Sequence, residues 1–187
     1  MPFFHAADGT KLYYEESGTG IPVLALSGLT RNTRDFDHVA PHLPVRLIRM
    51  DYRGRGESEW ADYKTYNIPQ EAADALALLD HLGLEQAAIL GTSRGGLIAM
   101  LLAATAKDRL LGVVLNDIGP EIDPKGMAVI ANYIGKNPVE DNHEDAAQAR
   151  ARNWVHFKGV PHARWLAEVR AHYAQTADGL VVRYDPK

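Results

Sequence analysis

Four short runs rich in apolar residues stand out along the chain, at residues 21–26, 45–50, 86–90 and 110–115. Runs of that length with little polar interruption suit strands buried on both faces of a parallel sheet. Between them the period changes. Residues 69–82 carry Ala72, Leu76, Leu79 and Leu82 at helical spacing, with Pro69 and Glu71 in the first turn and Gly83 as a stop. Residues 97–106 form a second apolar helix, and residues 35–40 begin a short one before Pro41 and Pro44. Ahead of them, residues 3–5 and 11–16 are β-prone pieces joined by an Asp8-Gly9 turn. Strand and helix therefore alternate from Pro22 to Leu115, which predicts an α/β fold: a mostly parallel sheet flanked by helices.

After Pro120 the character changes. Residues 125–135, 144–157 and 161–176 read as helices, with Trp154, Phe157, Trp165 and Tyr173 spread among them chiefly as packing residues. A strand-like stretch, 180–184, follows. The division expected is a core over 1–120 and a helical unit over 121–187.

Composition narrows the function classes. The 187 residues carry a net charge of −4 and no basic run, so neither nucleic acid nor an anionic membrane surface is an expected partner. Cysteine is absent, which removes disulfides, thiol catalysis and Cys-zinc sites. No signal peptide and no apolar run near the ~20 residues of a membrane span is seen, and a cytoplasmic location is expected. His143, His156, His162 and His172 show neither His-x-x-x-His nor His-Glu-x-x-His spacing, and no cofactor is implied.

Candidate chemistry gathers where the strands end. In parallel sheets ligands bind beyond the carboxyl ends of the strands. Ser27-Gly28, Asp51-Tyr52-Arg53, Ser93 and Asn116-Asp117 all sit just past such ends. The most distinctive of these is Gly91-Thr92-Ser93-Arg94-Gly95-Gly96, a serine between a strand and a helix with glycines two positions away on either side. That turn forces Ser93 into a strained conformation and aims the positive end of a helix at any anion formed there. The plainer alternative is a serine that caps the following helix. Asp51, Arg53 and Arg55 are expected to form an ion-pair and turn network that fixes their loop. The Arg94 side chain either pairs with an acid under the sheet edge or faces the pocket.

Three motifs together resemble the α/β-hydrolase fold family: Gly28 after a buried strand, Asp51-Tyr52-Arg53-Gly54-Arg55-Gly56-Glu57-Ser58, and Gly91-Thr92-Ser93-Arg94-Gly95-Gly96. The resemblance implies a serine hydrolase acting on an ester or related acyl bond of a small molecule, with Ser93 as nucleophile and an acyl-enzyme intermediate. It implies an oxyanion hole from the backbone N–H groups of Arg94 and Leu29, and a helical cap from about Glu121 onward. Ser27 stands where many members carry histidine.

Members typically continue with two more strand–helix units that bring the acid and the histidine, and this chain stops where those would begin. The base is therefore expected outside these residues, in a second chain or C-terminal fragment that completes the fold, and the strand at 110–115 is expected to expose apolar surface. Asp117 is the one acid directly past a late strand, a candidate to orient the histidine or a simple loop cap. Of the eight histidines, His143, His156, His162 and His172 follow Asp117 in the order a triad requires, but a helical cap is a poor place for a base. Lactonase, carbon–carbon bond hydrolase and perhydrolase chemistry stay open within the class. The rival from another class is a non-catalytic binding module of the same fold that lacks its histidine.

Overall fold

Residues 22–26 need apolar cover on both faces, and the structure, a computed structural model describing residues 2–187, supplies it. β1 (Phe3–His5) and β2 (Lys11–Ser17) form a hairpin that turns at Asp8-Gly9, with Gly9 at φ +87°. β3 (Pro22–Leu26) lies in parallel between β4 (Arg46–Met50) and β5 (Ala87–Thr92). β6 (Leu110–Asn116) pairs in parallel with the far side of β5. The six-stranded order is β1-β2-β4-β3-β5-β6, antiparallel only at β1-β2 and β2-β4.

α1 (Ile68–His81) and α2 (Arg94–Thr105) are the crossovers between β4 and β5 and between β5 and β6. Alternation along β3 sorts the core. Leu24 and Leu26 pack with Ala75, Leu78, Leu79, Ile98 and Leu102 from the two helices, whereas Ala25 joins Phe36 and Leu47 on the other face.

The C-terminal segment holds α3 (Pro124–Tyr133), α4 (His143–Asn153) and α5 (His162–His172), then β7 (Tyr173–Thr176) and β8 (Gly179–Val182) as a separate hairpin. α4, α5 and β8 share a small core of Ala146, Ala147, Trp165, Val169 and Leu180. α3 buries no residue.

Several expectations change. Residues 35–40 do not make an α-helix. Two short 3-10 turns stand there, Thr33–Phe36 and Ala40–His42; Asn32 caps the first and Pro41, lacking an N–H, opens the second. The helix expected to reach Thr176 stops at His172, because Tyr173 turns extended and pairs with Val182, and Gly179 at φ +112° permits the return. The strand-like stretch after it ends at Val182, and Tyr184 leaves to bridge Arg55. α2 starts at Arg94, three residues before the apolar run, because the turn at Ser93 begins it directly.

β6 is a strand but is not buried. Leu111, Val114 and Leu115 are 52%, 58% and 40% exposed, against 0% for Leu24. Its outer edge has no strand partner among the described residues. Trp154 and Phe157 are likewise exposed rather than packed away, although both lean on the buried Trp165.

Two polar networks tie the pieces together. Arg53, wholly buried, makes a two-pronged ion pair with Asp74 of α1 at 2.7 Å and a third bond to Asp8 in the hairpin turn at 2.8 Å. The second joins α5 to the loop after β3. Asn32 donates to the Ala171 carbonyl at 2.7 Å, and Arg31 bridges Asp35 and Glu168. Arg150 of α4 and Arg164 of α5 also reach Glu168. His172 lies within this network with Nδ1–H donating to the Glu168 carbonyl at 2.7 Å and Nε2 unpartnered. Burial, aided by Arg31, holds the imidazole neutral, well below its ordinary pKa.

These networks yield two predictions. Asp74→Asn leaves the buried Arg53 half-paired and is expected to cost about 3–5 kcal/mol of stability in urea denaturation, while Asp8→Asn, at a 43% exposed carboxylate, costs under about 1 kcal/mol. The unfolded chain protonates His172 below about pH 6.5 and the folded chain does not, so this residue lowers stability as pH falls through that value. Denaturation of the wild type and His172→Leu between pH 7 and pH 4 should show a steeper acid loss in the wild type, with the difference absent above pH 7.

Candidate active site

The turn at Ser93 is built by what cannot fit beside it. Ser93 has φ +50° and ψ −113°, in the region L side chains rarely adopt. A Cβ at Gly91 would lie 2.5 Å from the Gly95 carbonyl oxygen, and one at Gly95 would strike the Leu26 carbonyl at the end of β3. A Cβ at Gly96 would run into Ile118, a constraint the glycine pattern at 91 and 95 did not reveal. The Ser93 N–H donates to the Asn116 carbonyl at 2.9 Å and the Gly95 N–H to the Ser27 carbonyl at 3.1 Å. The elbow is thereby fastened to the ends of both β6 and β3.

Ser93 makes no side-chain cap for α2, so the plain helix-cap reading is not what this serine does. Its hydroxyl has no hydrogen-bond partner among the described residues, and the side chain is half-buried. The Arg94 N–H, first in α2, donates to no protein acceptor there. The loop after β3 leans against the serine: a Cβ on Gly28 would stand 3.8 Å from Ser93 Cβ. Leu29, next in that loop, also has a backbone N–H without an acceptor, while its carbonyl accepts from Arg55 Nε at 3.0 Å. Gly28, which precedes Leu29, and Ser93, which precedes Arg94, are therefore neighbours.

A phenol, a hydroxyl and a carboxylate are buried at the ends of β3 and β4. The Tyr52 hydroxyl donates to the Ser27 carbonyl at 3.1 Å, and burial raises its pKa well above the usual phenol value, so it stays a donor. Ser27 Oγ itself is buried without a partner. Asp51 accepts the N–H groups of Thr33 at 2.6 Å and Glu57 at 2.9 Å, and burial pushes it up to about 6 against those bonds. It joins two loops rather than pairing with Arg53 or Arg55 as the motif suggested.

The Arg94 side chain pairs with an acid. Its Nε donates to Glu71 Oε2 at 2.6 Å and its Nη2 to the Tyr66 carbonyl at 3.1 Å. Burial raises the Glu71 pKa, opposed by Arg94. Glu71 and Tyr66 were not singled out in the sequence. Glu71 read only as a first-turn helix acid, and its partner lies 23 residues away.

Asp117 is exposed, sits at φ +54° directly after β6, and makes no hydrogen bond or ion pair among the described residues. No histidine among them bonds to Ser93 or Asp117. His143 bonds the Tyr173 carbonyl, His162 pairs with Glu144, His81 contacts Tyr14, and His172 is fixed on α5.

A family model described as the α/β hydrolase fold matches residues 21–158. The 3-hydroxybutyrate-oligomer hydrolase of Cupriavidus necator is 43% identical over 111 residues, which cover 58% of this chain and 38% of that one. The non-heme haloperoxidase of Rhodococcus erythropolis is 32% identical over 139 residues, 69% of this chain and 50% of that one. The crystal structure of an α/β hydrolase from Novosphingobium aromaticivorans superposes with a TM-score of 0.89 at 34% identity, over 99% of this chain and 68% of that one. The chain spans half or less of the length of those two curated relatives. With the elbow, the loop after β3 and the sheet order agreeing, the chain belongs to the α/β-hydrolase fold family.

Proposed function

We propose that the protein is a serine hydrolase that cleaves an ester or related acyl bond of a small molecule through an acyl-enzyme at Ser93. One observation carries this reading: a partly buried serine hydroxyl without a capping bond, on a positive-φ turn, beside two backbone N–H groups without acceptors. In the reaction, Ser93 Oγ bonds to the acyl carbon as its proton passes to a base. The carbonyl oxygen becomes an oxyanion held by the Leu29 and Arg94 N–H groups. The leaving alkoxide departs with the proton, and water then releases the acid. Oligomers of a hydroxy acid are joined by ester bonds, so the name of the Cupriavidus relative agrees with ester cleavage.

The histidine base belongs to polypeptide that adds to the free edge of β6, either a C-terminal continuation or a second chain. The exposed apolar side chains of β6 and the 68% coverage of the Novosphingobium structure support this. In this reading Asp117, which follows β6, orients such a histidine. The helices after residue 120 act as a cap that excludes water and shapes the acyl pocket. No described helix is long and apolar enough to cross a membrane. The alternative, a non-catalytic binding module, is favoured by one fact: no described histidine bonds to Ser93.

A fluorophosphonate probe separates the two. The complete gene product is expected to label at Ser93, and Ser93→Ala to lose labelling together with at least about 10³-fold of p-nitrophenyl ester hydrolysis. If the complete protein does not label at Ser93, the hydrolase reading is wrong.

A further inference from the structure

Resting on the reading of Ser93 as nucleophile, we propose that Arg55 and Arg94, joined through Glu71 and Tyr66, are positioning residues that fix the two oxyanion donors relative to each other. The two N–H groups come from separate parts of the chain, one from the loop after β3 and one from the start of α2. An oxyanion hole works only if its donors are held about 3 Å from where the charge appears, and loops do not hold such spacing unaided. Something must tie the loop to the helix start.

The ties are visible on both sides. Arg55 Nε donates to the carbonyl of Leu29 at 3.0 Å, and its Nη1 to the Arg53 carbonyl at 3.1 Å. The first bond grips the residue that carries one donor. Arg94 carries the other, and its own side chain is pinned to Glu71 Oε2 at 2.6 Å and to the Tyr66 carbonyl at 3.1 Å. The two anchors then meet. The Arg55 guanidinium lies 4.9 Å from the centre of the Tyr66 ring, so one residue supports Arg55 with its ring and Arg94 with its carbonyl. Tyr66 is fixed in turn by its hydroxyl, which donates to Asp185 Oδ2 at 2.9 Å.

Glu71 is the shared counter-charge. It is wholly buried, only one of its oxygens is bonded, and the Arg55 charge as well as that of Arg94 favours its ionised form. Arg55 is buried too, and Glu71 is the charge that most opposes the cost of that burial. Removing Glu71 therefore unpins the Arg94 guanidinium and takes from Arg55, which makes no bond to it, a charge that offsets burial. Neither arginine side chain contacts the Ser93 hydroxyl, so the effect runs through the backbone.

The test uses the complete gene product, with active sites counted by fluorophosphonate titration so that misfolded enzyme does not enter the rate. For Arg94→Met, Arg55→Met and Glu71→Gln, kcat per titrated site should fall about 10- to 100-fold while KM for a p-nitrophenyl ester stays within about twofold. Affinity for an alkylboronic acid, which forms a tetrahedral adduct on the serine, should fall by the same factor as kcat. Arg94→Lys keeps the charge and one donor and should recover part of the loss. Arg109→Met, at an exposed pair with Asp80, should change neither quantity. If the variants lose only titratable sites or thermal stability, with kcat per site unchanged, the arginines are structural and the proposal fails. Should Glu71→Gln not fold, Arg94→Lys and Arg55→Met decide the matter alone. If the unmodified protein does not label at Ser93, the nucleophile reading falls, and this inference with it.

Discussion

The structure hinges on a contact in which one backbone lies directly on another. Gly95, in the first turn of α2, rests on the Leu26 carbonyl at the end of β3, at a distance no side chain permits. The Gly95 N–H then reaches the Ser27 carbonyl. Because α2 starts this close to β3, the loop that follows β3 has to pass the serine, and Gly28 and Ser93 become neighbours. A bulkier residue at 95 would lift the helix and separate Ser93 from the loop after β3. The strain at Ser93 is sustained by bonds on both sides, to β3 through Gly95 and to β6 through Asn116.

The segment from Asp51 to Arg55 distributes the rest of the architecture. Its four side chains go to different places. Asp51 gathers two loop N–H groups, Tyr52 holds the Ser27 carbonyl, Arg53 ties α1 to the first hairpin, and Arg55 grips Leu29. A motif that looks like a cluster of mutually paired charges is a junction whose partners are remote. Its glycines serve the same end, since Gly56 lies where any Cβ would displace the Asp51 carboxylate.

What the sequence reveals and what it hides follow the range of the forces involved. β3, β5 and α1 are legible because burial imprints a period on consecutive residues, and the elbow is legible because its glycines are local necessities. The Arg94–Glu71 pair is not, since nothing in either residue's surroundings along the chain names the other. The exposure of β6 cannot be read from its own residues for a similar reason: an apolar strand records that cover is needed, not which part of a polypeptide provides it. The α5 boundary at His172 was obscured because Tyr173 to Thr176 are tolerated in a helix, and only the pairing with Gly179 to Val182 decides against it.

The bare edge of β6 has a further consequence, for handling the protein in solution. A strand with open N–H and C=O groups and exposed Leu111, Val113, Val114 and Leu115 is a template on which any extended chain can align. Through the same surface two such chains can align with one another. The seven residues of β6 thus combine open backbone hydrogen-bond groups with exposed apolar side chains, and any strand that covers the one covers the other.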